Sequence, residues 1–358
     1  MKSRAAYAVV AGAVVALVAS GAAAEMKKIT LTVAAGQATR AMKPLAMVGE
    51  FFIPEVNKRV KAANLPIEIE WKEAYAGSLL QPLQMLDGVK DGIADIGFTP
   101  TIFYPDKLPL ENISFVVPFT TSDVKLVSKA VNHLHDTIPD YTKQYDKFNQ
   151  IWLGGDSYDS YELVTNFPVH KLADMKGRKI GTAGAALAWL RGTGATPVQS
   201  NMMEYYNSIK TGVFDGCIIF ASSFPGMKYP EVAPYTIKVG FGAQYAAALL
   251  MNKDSYKKVP PALQKILREA GHAWGAAADQ AMVDAGQKGL TTVASFKGQV
   301  IDFPRDEQVK WAKAMPNIAK EWAAKLDKDG LPGSKALSAY MDEMRKNGAK
   351  PARNWDKE

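Results

Sequence analysis

Hydrophobic and polar positions follow two different periods along the first hundred residues. Residues 27–36 and 67–75 carry apolar side chains at about every second position, which is typical of half-buried strands. Residues 44–60 place their apolar side chains at helical spacing, on one side of a predicted helix: Leu45, Val48, Phe52, Val56 and Val60. A short helix over 79–92 and a buried strand over 93–100 follow. This order of elements predicts an α/β layer with a mainly parallel sheet.

The alternation of predicted strands and helices begins again after residue 150. Residues 150–155 and 161–166 each predict a strand, and residues 176–220 predict a strand, a helix, a turn, a helix and a strand. Residues 235–241 and 246–252 are typical of paired or crossing strands. The second half of the chain therefore predicts a second α/β unit.

The last third of the chain is predominantly helical in its pattern. A long helix is predicted from two prolines at its start, at 260 and 261, to about residue 290, although Gly271 and Gly275 weaken it. Its apolar stripe consists of Leu263, Ile266, Leu267, Ala270 and Trp274. Further helices are predicted around Trp311 and Leu337. Because no repeat or low-complexity linker divides the chain, we expect two closely joined lobes, with more than one crossing between them.

The N-terminal residues predict export. Lys2 and Arg4 form a basic start, residues 5–19 are small or apolar, and residues 22–24 offer a small-residue cleavage site. This is the three-part pattern of a secretory signal peptide, and its apolar core is too short for a comfortable membrane span. The formal net charge is +7, but Lys and Arg alternate with Asp and Glu. No basic block therefore indicates nucleic-acid binding.

No arrangement of residues predicts catalysis. Cys217 is the single cysteine and lies in an apolar run, so we expect a buried free thiol. His133, His135 and Asp136 do not share one face of a helix, and a metal site is not expected. Residues 176–198 lack the glycine spacing of nucleotide-binding loops. We therefore predict a binding protein without cofactor or metal, and not an enzyme.

Residues 172–216 carry the most specific pattern, "LADMKGRKIGTAGAALAWLRGTGATPVQSNMMEYYNSIKTGVFDG". It closely resembles the signature of the solute receptors of TRAP transporters, the C4-dicarboxylate-binding type. Residues 228–236, 257–271 and 83–98 are similar to further segments of the same family. The resemblance extends over nearly the whole chain after the signal peptide.

The resemblance implies a periplasmic binding protein-like α/β fold, with a cleft between two lobes and a long helix bracing both. It implies a first lobe of residues 25–155 plus 242–288 and a second of 156–241 plus 289–345. Closure of the lobes by a hinge motion would bury a small solute. The partners implied are this solute and the membrane subunits of a TRAP transporter, to which the receptor delivers it from the periplasm.

Four positions depart from the family pattern. The family usually has Arg where this chain has Gly181, and a second Arg is common where it has Glu162. Polar Asn and His are frequent near Ile219 and Phe241. Two interpretations remain open: these positions do not face the solute, or the class of solute has changed.

Two classes of solute remain open, with an organic acid slightly favoured. An organic acid, aromatic acids included, would be held through its carboxylate by Arg40 or Arg191 and by free amides near Thr182. Its apolar part would pack on Met202, together with Ile219 and Phe241.

The alternative solute is a small amine or another cation. Glu162 would pair with it, and rings would contribute about 0.5–2 kcal/mol each. The candidate rings are Tyr75, Phe98, Tyr161 and Trp189. A sensor protein on the same fold is a third hypothesis, which differs in partner rather than in fold.

Position in the chain also makes three aromatic residues candidates for the cleft, one of them Phe98 again. Phe98 and Tyr104 follow the buried strand of residues 93–100, where cleft residues of such sheets usually lie. Phe119 comes directly after Pro118, similar to a family segment at the cleft edge. We therefore predict these side chains in the binding site, with Tyr75 in a loop beside them.

Overall fold

The computed structural model describes residues 26–358, so the predicted signal peptide over 1–24 lies outside the described residues. Within the described range, no helix combines the length and apolar character needed to cross a membrane. The range forms one mixed sheet of nine strands: β1 (Lys27–Ala34), β2 (Ile67–Ala74), β3 (Ile96–Pro100), β4 (Gln150–Thr165), β5 (Lys179–Thr182), β6 (Thr196–Gln199), β7 (Gly216–Phe220), β8 (Tyr235–Asn252) and β9 (Gln299–Asp302).

Two long antiparallel strands join two parallel half-sheets. The strand order is β2-β1-β3-β8-β4-β7-β5-β6, and β9 pairs with the start of β8. β1, β2 and β3 run parallel in the first half-sheet, and β5, β6 and β7 run parallel in the second. β4 and β8 pair with each other through both halves. The two lobes are therefore built on one continuous sheet.

Each long strand replaces two shorter predicted strands. The sequence predicts a break after residue 155 and another before 246, because glycines and polar residues interrupt the apolar pattern there. The backbone nevertheless continues, and the interruption appears as shifts of register between β4 and β8 near residues 156–161. Such irregularities bend and twist a strand without ending it. The middle of β4 and β8 is thus the irregular junction of the two halves.

Helices cover both half-sheets. In the described residues they are α1 (Lys43–Met47), α2 (Ile53–Ala62), α3 (Met85–Lys90), α4 (Ile113–Val116), α5 (Val124–Thr137), α6 (Asp140–Lys143), α7 (Tyr205–Lys210), α8 (Phe224–Met227), α9 (Lys253–Lys258), α10 (Pro261–Thr292), α11 (Arg305–Ala314), α12 (Ile318–Lys328) and α13 (Gly333–Lys346). A π-helical turn over 48–52 joins α1 to α2. The predicted stripe of residues 45–60 is buried as expected, and burial of such a side chain stabilises the fold by about 1.5–3 kcal/mol.

The long helix α10 lies directly on the junction of the two halves. Gly271 and Gly275, expected to weaken this helix, are instead the residues at which it touches the sheet. A Cβ atom added to Gly271 would lie 2.4 Å from the carbonyl oxygen of Leu153, and one added to Gly275 equally far from that of Gly155. Because neither glycine carries a Cβ, the helix packs on β4 at backbone distance. This confirms the predicted bracing helix.

The C-terminal helices lie beside the first lobe. Lys129 of α5 donates to Asn347, just after α13, at 2.7 Å. In α12, Trp322 donates to the carbonyl oxygen of Pro109, also in the first lobe, at 3.2 Å. The assignment of residues 289–345 to the second lobe therefore differs from the structure for α12 and α13. Their amphipathic patterns predict helices but do not show which surface the apolar face covers.

Candidate functional site

The carboxyl ends of the parallel strands in both halves meet over the middle of β4. At the end of β3, Pro100 pairs with Ala247 of β8, which in turn pairs with Asp156. At the end of β7, Phe220 pairs with Tyr161. Residues 156–161 therefore lie between the strand ends of the two half-sheets, and we call this stretch the floor. Crevices outside the carboxyl ends of parallel strands are the usual place for ligands in such sheets.

Buried polar atoms without a protein partner mark this edge. They are the amide oxygen of Gln37 after β1, the hydroxyl of Thr101 after β3 and the hydroxyl of Thr182 at the end of β5. On the floor, the hydroxyl of Tyr158 and both carboxyl oxygens of Asp156 are also buried and unpartnered. Most buried polar groups in proteins are hydrogen-bonded. Unpartnered atoms also occur away from this edge, for example in Tyr141 and Gln150, so those named here mark the edge only together with the strand ends.

A cluster of stacked rings lies beside the floor. Trp189 stacks on Phe115 at 5.8 Å between ring centroids and on Phe241 at 4.9 Å. Tyr161 meets Trp189 edge-on at 5.7 Å, and Phe119 lies 5.1 Å from Phe241. The indole of Trp189 also donates to the carbonyl oxygen of Phe115 at 2.6 Å, which ties the second lobe to the first. We call these five residues the ring cluster.

The sequence prediction found only part of this cluster. It placed Phe119, Tyr161 and Phe241 in the binding site and offered Trp189 as a candidate ring. Phe115 was missed because it lies in an apolar run with no polar neighbour to mark it as different from core. The structure brings all five side chains together.

Two aromatic residues predicted at the cleft pack elsewhere. Phe98 is fully buried against Trp274 of α10, with ring centroids 6.1 Å apart. Tyr104 packs in a separate apolar cluster of the first lobe, and its hydroxyl lies 3.3 Å from both the backbone nitrogen of Leu86 and the carbonyl oxygen of Pro82. Strand alternation turns Phe98 toward α10, whereas Tyr104 follows the 3-10 helical turn of residues 101–103, which sets the direction of its side chain.

Gly181 faces the interior of the second lobe. A Cβ atom at this position would lie 2.7 Å from the ring of Phe214, and Tyr205 of α7 packs on that ring at 6.1 Å. There is accordingly no empty space beside Gly181 for a longer side chain.

Glu162 shares this interior face rather than the face of the ring cluster. It pairs across the sheet with Ile219 of β7, while its neighbour Tyr161 points the other way. Its carboxylate accepts a hydrogen bond from the backbone nitrogen of Gly240 at 2.7 Å. Burial raises the pKa of Glu162 to about 7, and the hydrogen bond from Gly240 and the charge of Lys238 offset only part of this shift.

Other buried carboxyl groups surround the floor. Burial raises the pKa of Asp156 well above its ordinary range, and neighbouring Asp279 of α10 adds to this shift. Asp159 accepts from the backbone nitrogen of Ser222 at 3.1 Å, yet burial raises its pKa to about 6. None of the Lys and Arg residues in the described range is buried. The interior near the floor is therefore acidic or neutral in character.

The two predicted carboxylate-binding bases lie at the surface. Arg191 makes a bidentate pair with Glu321, at 2.6 and 3.1 Å, and is not directed at the floor. Arg40 is exposed in the turn after β1. Met202 is half-buried in the loop after β6, and its carbonyl oxygen accepts from Tyr229. Among these residues, only Arg40 lies at the strand-end edge of the first lobe.

The remaining candidates for chemistry are structural. Tyr75 is half-buried after β2, and burial next to Glu73 raises its pKa, so its hydroxyl keeps its proton. His135 is buried 3.1 Å from Glu111 and stacks on the indole of Trp152. Cys217 is fully buried. Within residues 26–358, no group of three or more His, Cys, Asp or Glu side chains could hold a metal ion.

Comparison with known proteins identifies the class. Residues 57–326 match the family described as bacterial extracellular solute-binding protein, family 7 (DctP). The chain belongs to this family, which confirms the predicted resemblance. Because the family consists of solute-binding proteins, the prediction that the chain is not an enzyme is confirmed as well.

Solved structures confirm the two-lobed α/β fold. A TRAP periplasmic solute-binding protein from Desulfovibrio salexigens is similar with a TM-score of 0.77 and 21% identity, over 89% of this chain and 97% of that one. One from Rhodoferax ferrireducens in complex with copurified benzoate has a TM-score of 0.76 and 21% identity, over 89% and 98%. A Bordetella pertussis receptor binding pyroglutamic acid has a TM-score of 0.75 and 20% identity, over 87% and 99%.

One similar protein has a closer sequence over a shorter stretch. A solute-binding protein from Sulfitobacter sp. strain NAS-14.1 is 30% identical over 150 residues. The match covers 38% of this chain and 44% of that protein, so the chain spans less than half the length of this relative.

Proposed function

We propose that this chain is a periplasmic receptor that captures a small organic acid and delivers it to the membrane subunits of a TRAP transporter. The observation that carries the proposal is the meeting of unpartnered polar atoms and stacked rings at the edge where the strands of both lobes end. Hydroxyl groups there can donate to a carboxylate, and the rings can pack on an apolar body. The site thus suits a solute with one polar end.

An aromatic acid fits this arrangement best. The hydroxyls of Thr182, Thr101 and Tyr158 would donate to the carboxylate, while Tyr161, which meets the buried Trp189 edge-on, would contact the ring. Arg40, at the edge of the first lobe, would supply the nearest positive charge. Benzoate in the Rhodoferax protein and 3-hydroxybenzoate in a marine metagenome protein of similar fold support this class.

The remaining predicted contacts belong to the same proposal. Met202 and Phe241 would border the apolar part of the solute. Gly181 faces the Phe214 ring in the interior of the second lobe, so this position would supply no charge, and neutral donors would have to bind the carboxylate. The signal-peptide pattern of residues 1–24 supports export to the periplasm.

The proposal is tested by thermal unfolding of the mature chain in the presence of benzoate, 3-hydroxybenzoate, pyroglutamate and galacturonate. A true solute at a hundred times its dissociation constant stabilises the protein by about 2.7 kcal/mol. We expect the aromatic acids to raise the midpoint most. Thr182→Val keeps the shape of the side chain without its hydroxyl and should weaken this response. If none of the four acids raises the midpoint, the organic-acid assignment is refuted.

A small amine is the second candidate because the buried charges near the floor are acidic. Asp156 has two unpartnered oxygens and lies next to the ring-bearing Tyr158, whereas Glu162 faces away from the ring cluster. Titration with putrescine decides between the classes. The candidate is supported if putrescine binds wild type and Glu162→Gln but does not bind Asp156→Asn. It is excluded if wild type does not respond to putrescine.

A further inference from the structure

The backbones of the two lobes touch at two glycines. Gly184 follows β5 in the second lobe, and a Cβ atom there would lie 2.2 Å from the carbonyl oxygen of Ile102, after β3 in the first lobe. Gly226 lies in α8 of the second lobe, and its Cβ atom would lie 2.5 Å from the carbonyl oxygen of Arg40, after β1. Both contacts join segments that follow the strand ends, on the same edge as the floor.

Gly226 is not required by its own backbone. Its φ angle is not in the left-handed region, and Ala is favoured over Gly by about 1 kcal/mol within a helix. The close approach of the Arg40 carbonyl is therefore the feature of the structure that requires the absence of a Cβ at this position. The contact lies between lobes, so the requirement exists only when the lobes are together.

Gly184 has two reasons to be glycine. Its φ angle is +52°, and the Ile102 carbonyl leaves no room for a Cβ atom. Gly177 and Gly212 separate these reasons, because their φ angles are +76° and +75° and nothing lies within 4 Å of an added Cβ. Substitution of either one by Ala introduces the backbone strain without the contact between lobes.

We propose that Gly184 and Gly226 are positioning residues that set how closely the two lobes approach around the solute. We call the pair the closure seam. A Cβ atom at Gly226 would have to move the facing backbone by roughly 1 Å to reach ordinary contact distance. A hydrogen bond lengthened by this amount is lost. Donors from opposite lobes, such as Thr101 and Thr182, could then no longer bind one solute together.

The seam acts at a distance from the junction of the lobes. The two lobes are joined through the irregular middle of β4 and β8, whereas the seam lies on segments beyond the strand ends. An obstacle at the seam can therefore be accommodated by rotation about the junction, with the interior of each lobe unchanged. The proposal rests on the proposed function in one respect, that the solute is enclosed between the lobes.

The test measures the distance between lobes by double electron–electron resonance. Spin labels are placed at Lys61→Cys in the first lobe and Lys210→Cys in the second, both exposed, while the buried Cys217 stays unlabelled. We expect part of the wild-type protein to show a short distance between the labels. Saturating benzoate or pyroglutamate should increase the fraction of molecules at this short distance. Gly226→Ala should lose this population and bind the same acid at least about tenfold more weakly, with an unchanged unfolding midpoint without acid.

Variants with and without the contact between lobes test whether the closure seam sets the distance. Gly184→Ala should lose the short distance, whereas Gly177→Ala should keep it although both carry the same backbone strain. A Gly226→Ala protein with the wild-type distance and affinity overturns the proposal. If neither acid changes the distance or the unfolding midpoint, the organic-acid function is refuted, and the samples without acid test the closure seam. A short distance that is present in wild type and missing in Gly226→Ala supports the seam. If wild type shows no short distance, the seam is refuted.

Discussion

Asp279 links the long helix to the floor of the cleft and should make stability depend on pH. One of its oxygens accepts from the Ser128 hydroxyl at 2.8 Å and from the backbone nitrogen of Ser157 at 2.9 Å. Burial is nevertheless the largest influence and raises its pKa from 3.8 to about 7. The nearby charges of Lys125 and Asp123 act in opposite directions and are smaller.

The direction in which stability changes with pH follows from proton uptake by the folded state. Between pH 4 and 7 the folded state holds a proton on Asp279 that the unfolded state has released, so the free energy of unfolding falls as pH rises. The contribution is fully present below about pH 4 and is lost by about pH 7. A shift of about 3 pK units at 1.36 kcal/mol each gives a loss of about 4 kcal/mol. Asp279→Asn keeps an oxygen acceptor but cannot release a proton.

The assay is urea unfolding of wild type and Asp279→Asn at a series of pH values from 4 to 8. We expect the variant to be nearly as stable as wild type at pH 4 and more stable by up to about 4 kcal/mol above pH 7. Asp284→Asn, exposed on the same helix, is the matched control and should follow wild type throughout. A difference between Asp279→Asn and wild type that stays constant from pH 4 to 7 would refute the assignment. Because Asp279 adds to the pKa shift of neighbouring Asp156, the difference between Asp279→Asn and wild type includes the response of Asp156.

Three further predictions concern packing and reactivity. Gly275→Ala would place a Cβ atom 2.4 Å from a carbonyl oxygen of β4 and should cost about 1–3 kcal/mol in urea unfolding, whereas Gln280→Ala on the exposed side of the same helix should change stability by less than about 0.5 kcal/mol. Trp189→Phe removes the hydrogen bond to the buried carbonyl of Phe115 and should lower the free energy of unfolding by about 2 kcal/mol, and an unchanged value would show that water replaces it. Burial raises the pKa of Cys217, so a thiol reagent should leave it unmodified at pH 8 until urea is added, and rapid modification of the native protein would contradict its buried position.

The fold was largely predictable where one periodic pattern extends over many residues. The stripe from Leu45 to Val60 and the helix that begins at Pro261 each repeat an apolar position often enough to indicate both the element and its buried face. The continuity of β4 was not predictable, because Gly154, Gly155 and the polar residues after them resemble a turn. The absence of a Cβ is needed at Gly154 by Gly271 of α10 and at Gly155 by Tyr245 of β8, both far away in sequence.

The candidate site was less predictable than the fold. Strand ends indicate an edge of the sheet as the site, which stays a prediction, whereas the apolar surroundings of Phe98 and Tyr104 depend on neighbours that the sequence does not show. Gly181 was singled out by comparison with the family, yet the ring that covers it, Phe214, lies more than thirty residues later in the chain. The unpartnered hydroxyl of Thr182 becomes visible only when all its neighbours are known.

The position of residues 156–161 has a mechanical consequence. In the proposed function, the same short stretch of β4 would contact the solute, and it contains the shifts of register that separate the two halves of the sheet. A solute bound at this stretch would contact the part of the sheet that must twist when the two lobes rotate relative to each other. Binding of the solute and rotation of the lobes would thus involve the same backbone segment, and no coupling between distant sites would be needed.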